Sequence, residues 1–167
     1  MERAPVPRVS ARVAALRLLA QRRLTESQLW TRLARKGYPD DDVRAAIAGC
    51  KRDGFVDDAL FAQLFVDGRG KSVGNARLVA ELVRRGIERE AAQRSVAAAE
   101  RAEDERLRLA LQKLFRTRAS LSYPSAARAL ERLGFPSPAI YRHLRAQART
   151  DIAGDDAPAE DSFENAT

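Results

Sequence analysis

Apolar residues recur along this chain at three- and four-residue spacings, the period of helices with one buried face. In the first run, Arg12 to Gln21, the spacing places Val13, Leu16 and Ala20 on one side. Thr25 followed by Gln28 matches a capping box, so a second helix starts there, presents Leu29 and Leu33 inward, and ends at Gly37. A glycine just past a helix takes the left-handed conformation without a Cβ clash. Asp40 is expected to cap a third helix, with Asp41 and Asp42 at its positive end. Val43 and Ile47 point back to the core, and Gly54 closes the unit.

The same unit recurs. Aligned on Gly37, Gly86 and Gly134, the chain repeats at spacings of 49 and 48 residues. Before each glycine stand a leucine (Leu33, Leu82, Leu130) and an arginine (Arg35, Arg84, Arg132) at fixed offsets. After each come matching apolar positions, such as Ile47, Val96 and Leu144. Periods of this length mark helical arrays.

In the second unit Asp57 is a natural N-cap, and Phe61 and Phe65 share a helical face, with both rings expected in the core. A polar linker is expected over Gly68–Gly74, then helices from about Asn75 and Glu88. Between Ile87 and Tyr123 there is neither Gly nor Pro, so the pattern leaves open a continuous helix joining units two and three or a break near Glu103-Asp104. Ser122-Tyr123-Pro124 and Ser137-Pro138 start the last two helices. The predicted fold is all-α: an N-terminal arm (1–10), then three-helix repeats over 11–55, 56–101 and 102–149. Residues 150–167 form a tail expected to be disordered. Units this small bury little surface alone and should stack into an elongated array open to curvature.

Charge sharpens the picture. All 30 basic residues precede Thr150, whereas six of the 23 acids lie beyond it: Asp151, Asp155, Asp156, Glu160, Asp161 and Glu164. A strongly basic body points to a polyanionic partner. The oppositely charged tail is expected either to be a solubilising segment without contact or to fold back transiently over that body. No stretch is long and apolar enough to span a membrane, and Met1 to Ser10 lacks the apolar region of a secretory signal, so a cytoplasmic, monomeric protein is expected. Cys50 is the only cysteine and reads as a small buried residue; Trp30 reads as core or helix packing.

Catalytic readings fail on inventory. His143 is the only histidine and is expected at the surface or in a groove. No zinc-type cluster occurs, and Gly68-Arg69-Gly70-Lys71-Ser72 lacks the spacing of a phosphate-binding loop. No cofactor, metal or enzymatic activity is expected.

The run from Gly54 to Val66, with its paired acid Asp57-Asp58 followed by Phe61-Ala62 and Phe65-Val66, resembles the hallmark of the RecX family. Glu81-Leu82-Val83-Arg84-Arg85-Gly86-Ile87 is similar to that family's Glu-Leu-basic-Gly-Ile segment, and the outer repeats match more loosely. Gly74-Asn75-Ala76 departs from the family's Gly-Pro-Arg, and Leu133 stands where a basic residue is usual. The resemblance implies a crescent of three-helix repeats lying in the groove of the RecA–DNA filament. It also implies modulation of RecA, chiefly inhibition of its recombinase, ATPase and coprotease activities, in DNA repair and the SOS response. Asp57, Asp58, Phe61, Ala62 and Phe65 then form a signature of structural role.

The arginines before the turn glycines could simply oppose helix dipoles. That leaves a surplus, from which a basic stripe is expected: Arg35, Lys36, Arg69, Lys71, Arg77, Arg84, Arg85 and Arg89. It would face DNA phosphates, single- or double-stranded and without sequence preference, or acidic RecA surfaces. The rival is a helix-turn-helix DNA reader acting without RecA. Against it, the third helices open on Asp40-Asp41-Asp42, Glu88-Arg89-Glu90 and Ser137-Pro138, where acids repel phosphates and proline offers no donor.

Overall fold

The structure, a computed structural model, describes residues 9–69, 72–99, 101–118 and 120–155, with the side chains of 150–155 excepted. Among these residues the secondary structure is helical throughout. The helices are α1 (Ala11–Gln21), α2 (Glu26–Ala34), α3 (Asp40–Arg52), α4 (Asp58–Arg69), α5 (Asn75–Arg84), α6 (Arg89–Ala97), α7 (Glu103–Thr117), α8 (Tyr123–Arg132) and α9 (Ser137–Asp155). They make three hydrophobic cores, each built by three consecutive helices.

The local signals act as their chemistry dictates. Thr25 accepts from the Gln28 backbone N–H, and the Gln28 side chain accepts from the Thr25 N–H, completing the capping box. Gly37, Gly54, Gly86 and Gly134 all take positive φ, between 76° and 87°. Asp57 caps α4 by accepting from the Leu60 N–H at 2.9 Å.

Other expectations are corrected. Asp40 is the first residue of α3, not its cap; Pro39 occupies the cap position without a side-chain bond, and Asp40–Asp42 serve only as first-turn acids. On α1 the buried face is Ala11, Ala14 and Ala15, while Val13 is 40 % exposed. Small residues win that face because α1 packs closely on α3. On α4 the fully buried residues are Ala62 and Val66; Phe61 and Phe65 pack against the same core but stay half-buried, and stack on each other at 6.4 Å. Helix α4 also continues through Gly68 to Arg69, shortening the expected linker. Of the two alternatives left open between units two and three, the break just before Glu103 is the one found: α6 stops at Ala97, and Ala102 occupies the cap of α7. Helix α9 runs to Asp155, so residues 150–155 are helical rather than part of a disordered tail.

One junction is used twice, and it fixes how the units stack. The start of helix two in units one and two sits on the turn of the next unit, around Gly86 and Gly134. Thr25 Oγ1 donates to the Arg85 carbonyl, and 49 residues on, the Gly74 N–H donates to the Leu133 carbonyl at 2.8 Å. A carboxylate from the following unit closes each contact. Asp58 accepts from the Glu26 N–H at 2.8 Å, and Glu103 accepts from the Asn75 N–H at 2.6 Å. These bonds satisfy helix N–H groups that lack partners within the helix. In the second junction Arg106, 1 % exposed, donates to the carbonyls of Val73 (2.7 Å) and Arg101 (3.2 Å) and to Asn75.

Candidate nucleic-acid interface

The structure sorts the basic residues expected to form the stripe into two groups. The first converges on Glu81, whose side chain is 7 % exposed on α5. Arg77 and Arg85, one turn to either side, reach it at 3.2 and 3.7 Å, and Arg69 reaches it from the end of α4 at 3.4 Å. Burial alone pushes the Glu81 carboxyl up. The Arg77 hydrogen bond and the charges of Arg69 and Arg85 outweigh it and hold the group below its ordinary value. Two of the arginines have further duties. Arg77 donates to the Arg132 carbonyl at 3.0 Å across the unit junction. Arg85 donates to the Glu81 carbonyl at 2.8 Å and lies over the Phe65 ring, 4.4 Å from its centroid. That stacking explains why Phe65 stays half-buried: its outer face is covered by a guanidinium.

The second group is Arg84 and Arg89 in unit two with Arg35 and Lys36 at the end of α2. All four are exposed, and among the described residues none takes part in an ion pair. Arg84 and Arg89 border an open groove between α5 and α6. Lys71 lies outside the described residues. The eight expected residues therefore do not share one environment: three are tied to a carboxylate and four stand in solvent.

The paired acid divides its work. Asp57 caps its own helix, while Asp58 caps α2 of the preceding unit. Burial, ahead of its other surroundings, pushes the Asp58 carboxyl up. Ala62 is buried in the middle core.

Sequence reasoning named Glu81 only as part of the family-like segment, without its role, and missed Arg106. The spacing of Glu81 to Arg77 and Arg85 is visible in the sequence as helical neighbours, but Arg69 joins only through packing. Two of the three partners of Arg106 lie 31 and 33 residues away, beyond any local pattern. It also missed that Phe55, Leu60 and Leu64, within the signature run, are exposed.

His143 is half-buried rather than at the surface. Its Nε2 lies 3.0 Å from Asp104 Oδ1 without hydrogen-bond alignment, and Arg142 meets the same oxygen at 2.5 Å. The imidazole and then the guanidinium hold the Asp104 carboxyl below its usual range. This contact ties α9 to the start of α7. Cys50 is fully buried, and burial pushes its thiol up against the opposing effect of Arg12. Trp30 packs half-buried against the first core with Arg44 over its ring at 5.9 Å.

Among the described residues no group of three or more His, Cys, Asp or Glu could hold a metal ion, and no helix is long and apolar enough to cross a membrane.

Fold and surface together define an all-α repeat protein of three-helix units with exposed cations at the ends of second helices. Residues 11–50 match the family model for the first three-helix domain of RecX. The chain is 30 % identical over 156 residues to the regulatory protein RecX of Thermobifida fusca, covering 89 % of this chain and 84 % of the relative. It is 32 % identical to that of Amycolatopsis mediterranei, covering 79 % of each. The match to the Mycobacterium avium protein is 41 % identical but spans 47 % of this chain and 46 % of the relative, about half its length. The crystal structure of RecX from Lactobacillus salivarius shares the fold with a TM-score of 0.71, at 17 % identity, over 81 % of this chain and 93 % of that one. The chain belongs to the RecX family of regulatory proteins.

Proposed function

We propose that this chain is a non-catalytic, cytoplasmic regulator that binds the RecA–DNA filament as a monomer and slows RecA's ATP turnover, strand exchange and coprotease action. Family membership is the observation that carries this reading. The four exposed cations Arg35, Lys36, Arg84 and Arg89 are the groups assigned to phosphates or acidic RecA surfaces. Arg69, Arg77 and Arg85 are assigned to holding the middle unit together on Glu81. DNA contact of this kind neutralises phosphate charge without reading bases, so it is salt-dependent and indifferent to sequence. The exposed acids Asp40–Asp42 in the first turn of α3 speak against a base-reading helix there. The deciding experiment is a titration into RecA, single-stranded DNA and ATP. The expected result is a dose-dependent fall in hydrolysis together with shorter filaments. Hydrolysis and filament length both unchanged at saturating protein would overturn the proposal. A selection returning one tight consensus site, retained at high salt, would favour the DNA reader instead.

A further inference from the structure

The junction that joins the units is used twice, and its third copy lies open. Thr25, the cap of α2, is buried where it meets the next turn, and Gly74, the cap of α5, is buried in the same way. Forty-eight residues after Gly74 stands Ser122, which is exposed and whose Oγ bonds locally to Ser125 Oγ at 3.0 Å. The residue after each cap changes too. Glu26 and Asn75 donate their N–H groups to the carboxylates of Asp58 and Glu103, the first residues of α4 and α7. At the same place in unit three stands Tyr123, 37 % exposed. Its ring meets Phe115 of α7 edge to face, with centroids 5.7 Å apart, and Phe115 packs on the third core. The charge along this stretch has one sign: residues 106–130 carry six bases and no acid. Of these, Lys113, Arg116 and Arg118 lie within three residues of Phe115, are exposed, and take part in no ion pair among the described residues.

We propose that this open end is a contact for single-stranded nucleic acid, with a base stacked on Tyr123 and neighbouring phosphates on Arg116 and Arg118. An exposed aromatic ring beside cations is the arrangement that takes a single strand, because every base has a face to stack and every phosphate a charge to neutralise. A duplex keeps its bases stacked inside and offers the same surface phosphates alone. Charge complementarity favours the reading. The nearest acids along the two helices, Glu105 and Glu131, stand about 15 Å and 12 Å of helix away from Phe115 and Tyr123. A second copy of the chain fits the face less well. Its unit one would supply the turn, which carries Arg35 and Lys36, and its α1 opens on Ala11-Arg12 where α4 and α7 open on carboxylates. Cations would meet cations. The contact is separate from the four cations assigned above, and binding there requires neither them nor RecA.

The test uses the full chain and bare strands, so its failure leaves the action on RecA standing. Fluorescence anisotropy compares a labelled thymidine strand of about 12 nucleotides with an abasic strand of equal length and charge. The wild type should bind the thymidine strand about 5- to 100-fold more tightly, the gain that one stacked base supplies. Tyr123→Leu should lose that preference, and Tyr123→Phe should keep it. Arg116→Gln/Arg118→Gln should weaken binding of both strands and flatten the log–log salt dependence by about 0.7 per lost phosphate contact. If Tyr123→Leu does not fold, the wild type alone decides: irradiation of a strand carrying iododeoxyuridine should crosslink it to Tyr123, read by mass spectrometry of the digested adduct. Equal affinity of the wild type for the two strands would overturn the proposal and leave the face to an acidic protein surface. An unchanged preference in folded Tyr123→Leu, or crosslinks that all lie outside α7 and α8, would overturn it as well. Self-association of the wild type in sedimentation that Tyr123→Leu abolishes would also overturn it, giving the face to a second copy.

Discussion

Replacing Gly86 by alanine tests whether the unit junction is as tight as its geometry requires. Gly86 has φ +87°, and a Cβ built there would come 2.1 Å from Ser27 Cβ and 2.4 Å from its Oγ. Gly54 is the internal control. Its φ is +76°, but a Cβ there meets nothing within 4 Å. Gly54→Ala therefore carries only the left-handed backbone penalty, about 1–2 kcal/mol. Gly86→Ala carries the same penalty plus the cost of forcing α2 away from the turn, for a total of about 2–5 kcal/mol. The movement also lengthens the Thr25–Arg85 bond. Urea denaturation of the two variants against the wild type supplies both numbers. A cycle with Ser27→Gly isolates the clash, because that substitution removes the atoms met by the new methyl. A coupling of about 1–3 kcal/mol is expected between positions 27 and 86. If Gly86→Ala and Gly54→Ala agree within about 0.5 kcal/mol, or the coupling vanishes, the interlocked junction is wrong.

Three further predictions follow from named contacts. Arg106→Leu should destabilise by about 1–3 kcal/mol for each buried acceptor it orphans, read by thermal unfolding, and should loosen unit three before unit one in hydrogen exchange. Glu81→Gln should cost about 1 kcal/mol at pH 7, a modest figure because its three arginine partners remain partly hydrated. Since the folded Glu81 carboxyl is held below its ordinary value, its stabilisation is present above that ordinary value and is lost as pH falls through the depressed one. The gap between wild type and variant, measured by urea melts at pH 7 and at pH 3, should therefore narrow in acid. Arg84→Glu/Arg89→Glu should weaken duplex binding equally across sequences and flatten the log–log salt dependence by about 0.9 per lost phosphate contact, whereas Arg77→Gln should lower stability more than affinity.

Much of the helical layout was legible because it is written in local chemistry. The capping box at Thr25, the cap at Asp57 and the glycine stops at 37, 86 and 134 each act over a few residues, where sequence distance and spatial distance coincide. The repeat was legible because equal units bury equal positions, such as Ile47, Val96 and Leu144. Periodicity misjudged the faces of α1 and α4: spacing alone does not say whether a close helix contact selects alanine over valine, or a cation covers a phenylalanine ring. The basic stripe was legible only as composition. What separates Arg69, Arg77 and Arg85 from Arg84 and Arg89 is the placement of one carboxylate, Glu81, at the meeting of α4 and α5. The same holds for Asp58, Glu103 and Arg106, whose partners belong to a different segment of chain. Sequence determined where most helices start and stop and that three like units follow one another; tertiary structure decided which charges are consumed in joining them and which stay exposed for a partner. The physical reason is that a charge's role depends on the distance to its counter-charge, and for these residues packing sets that distance.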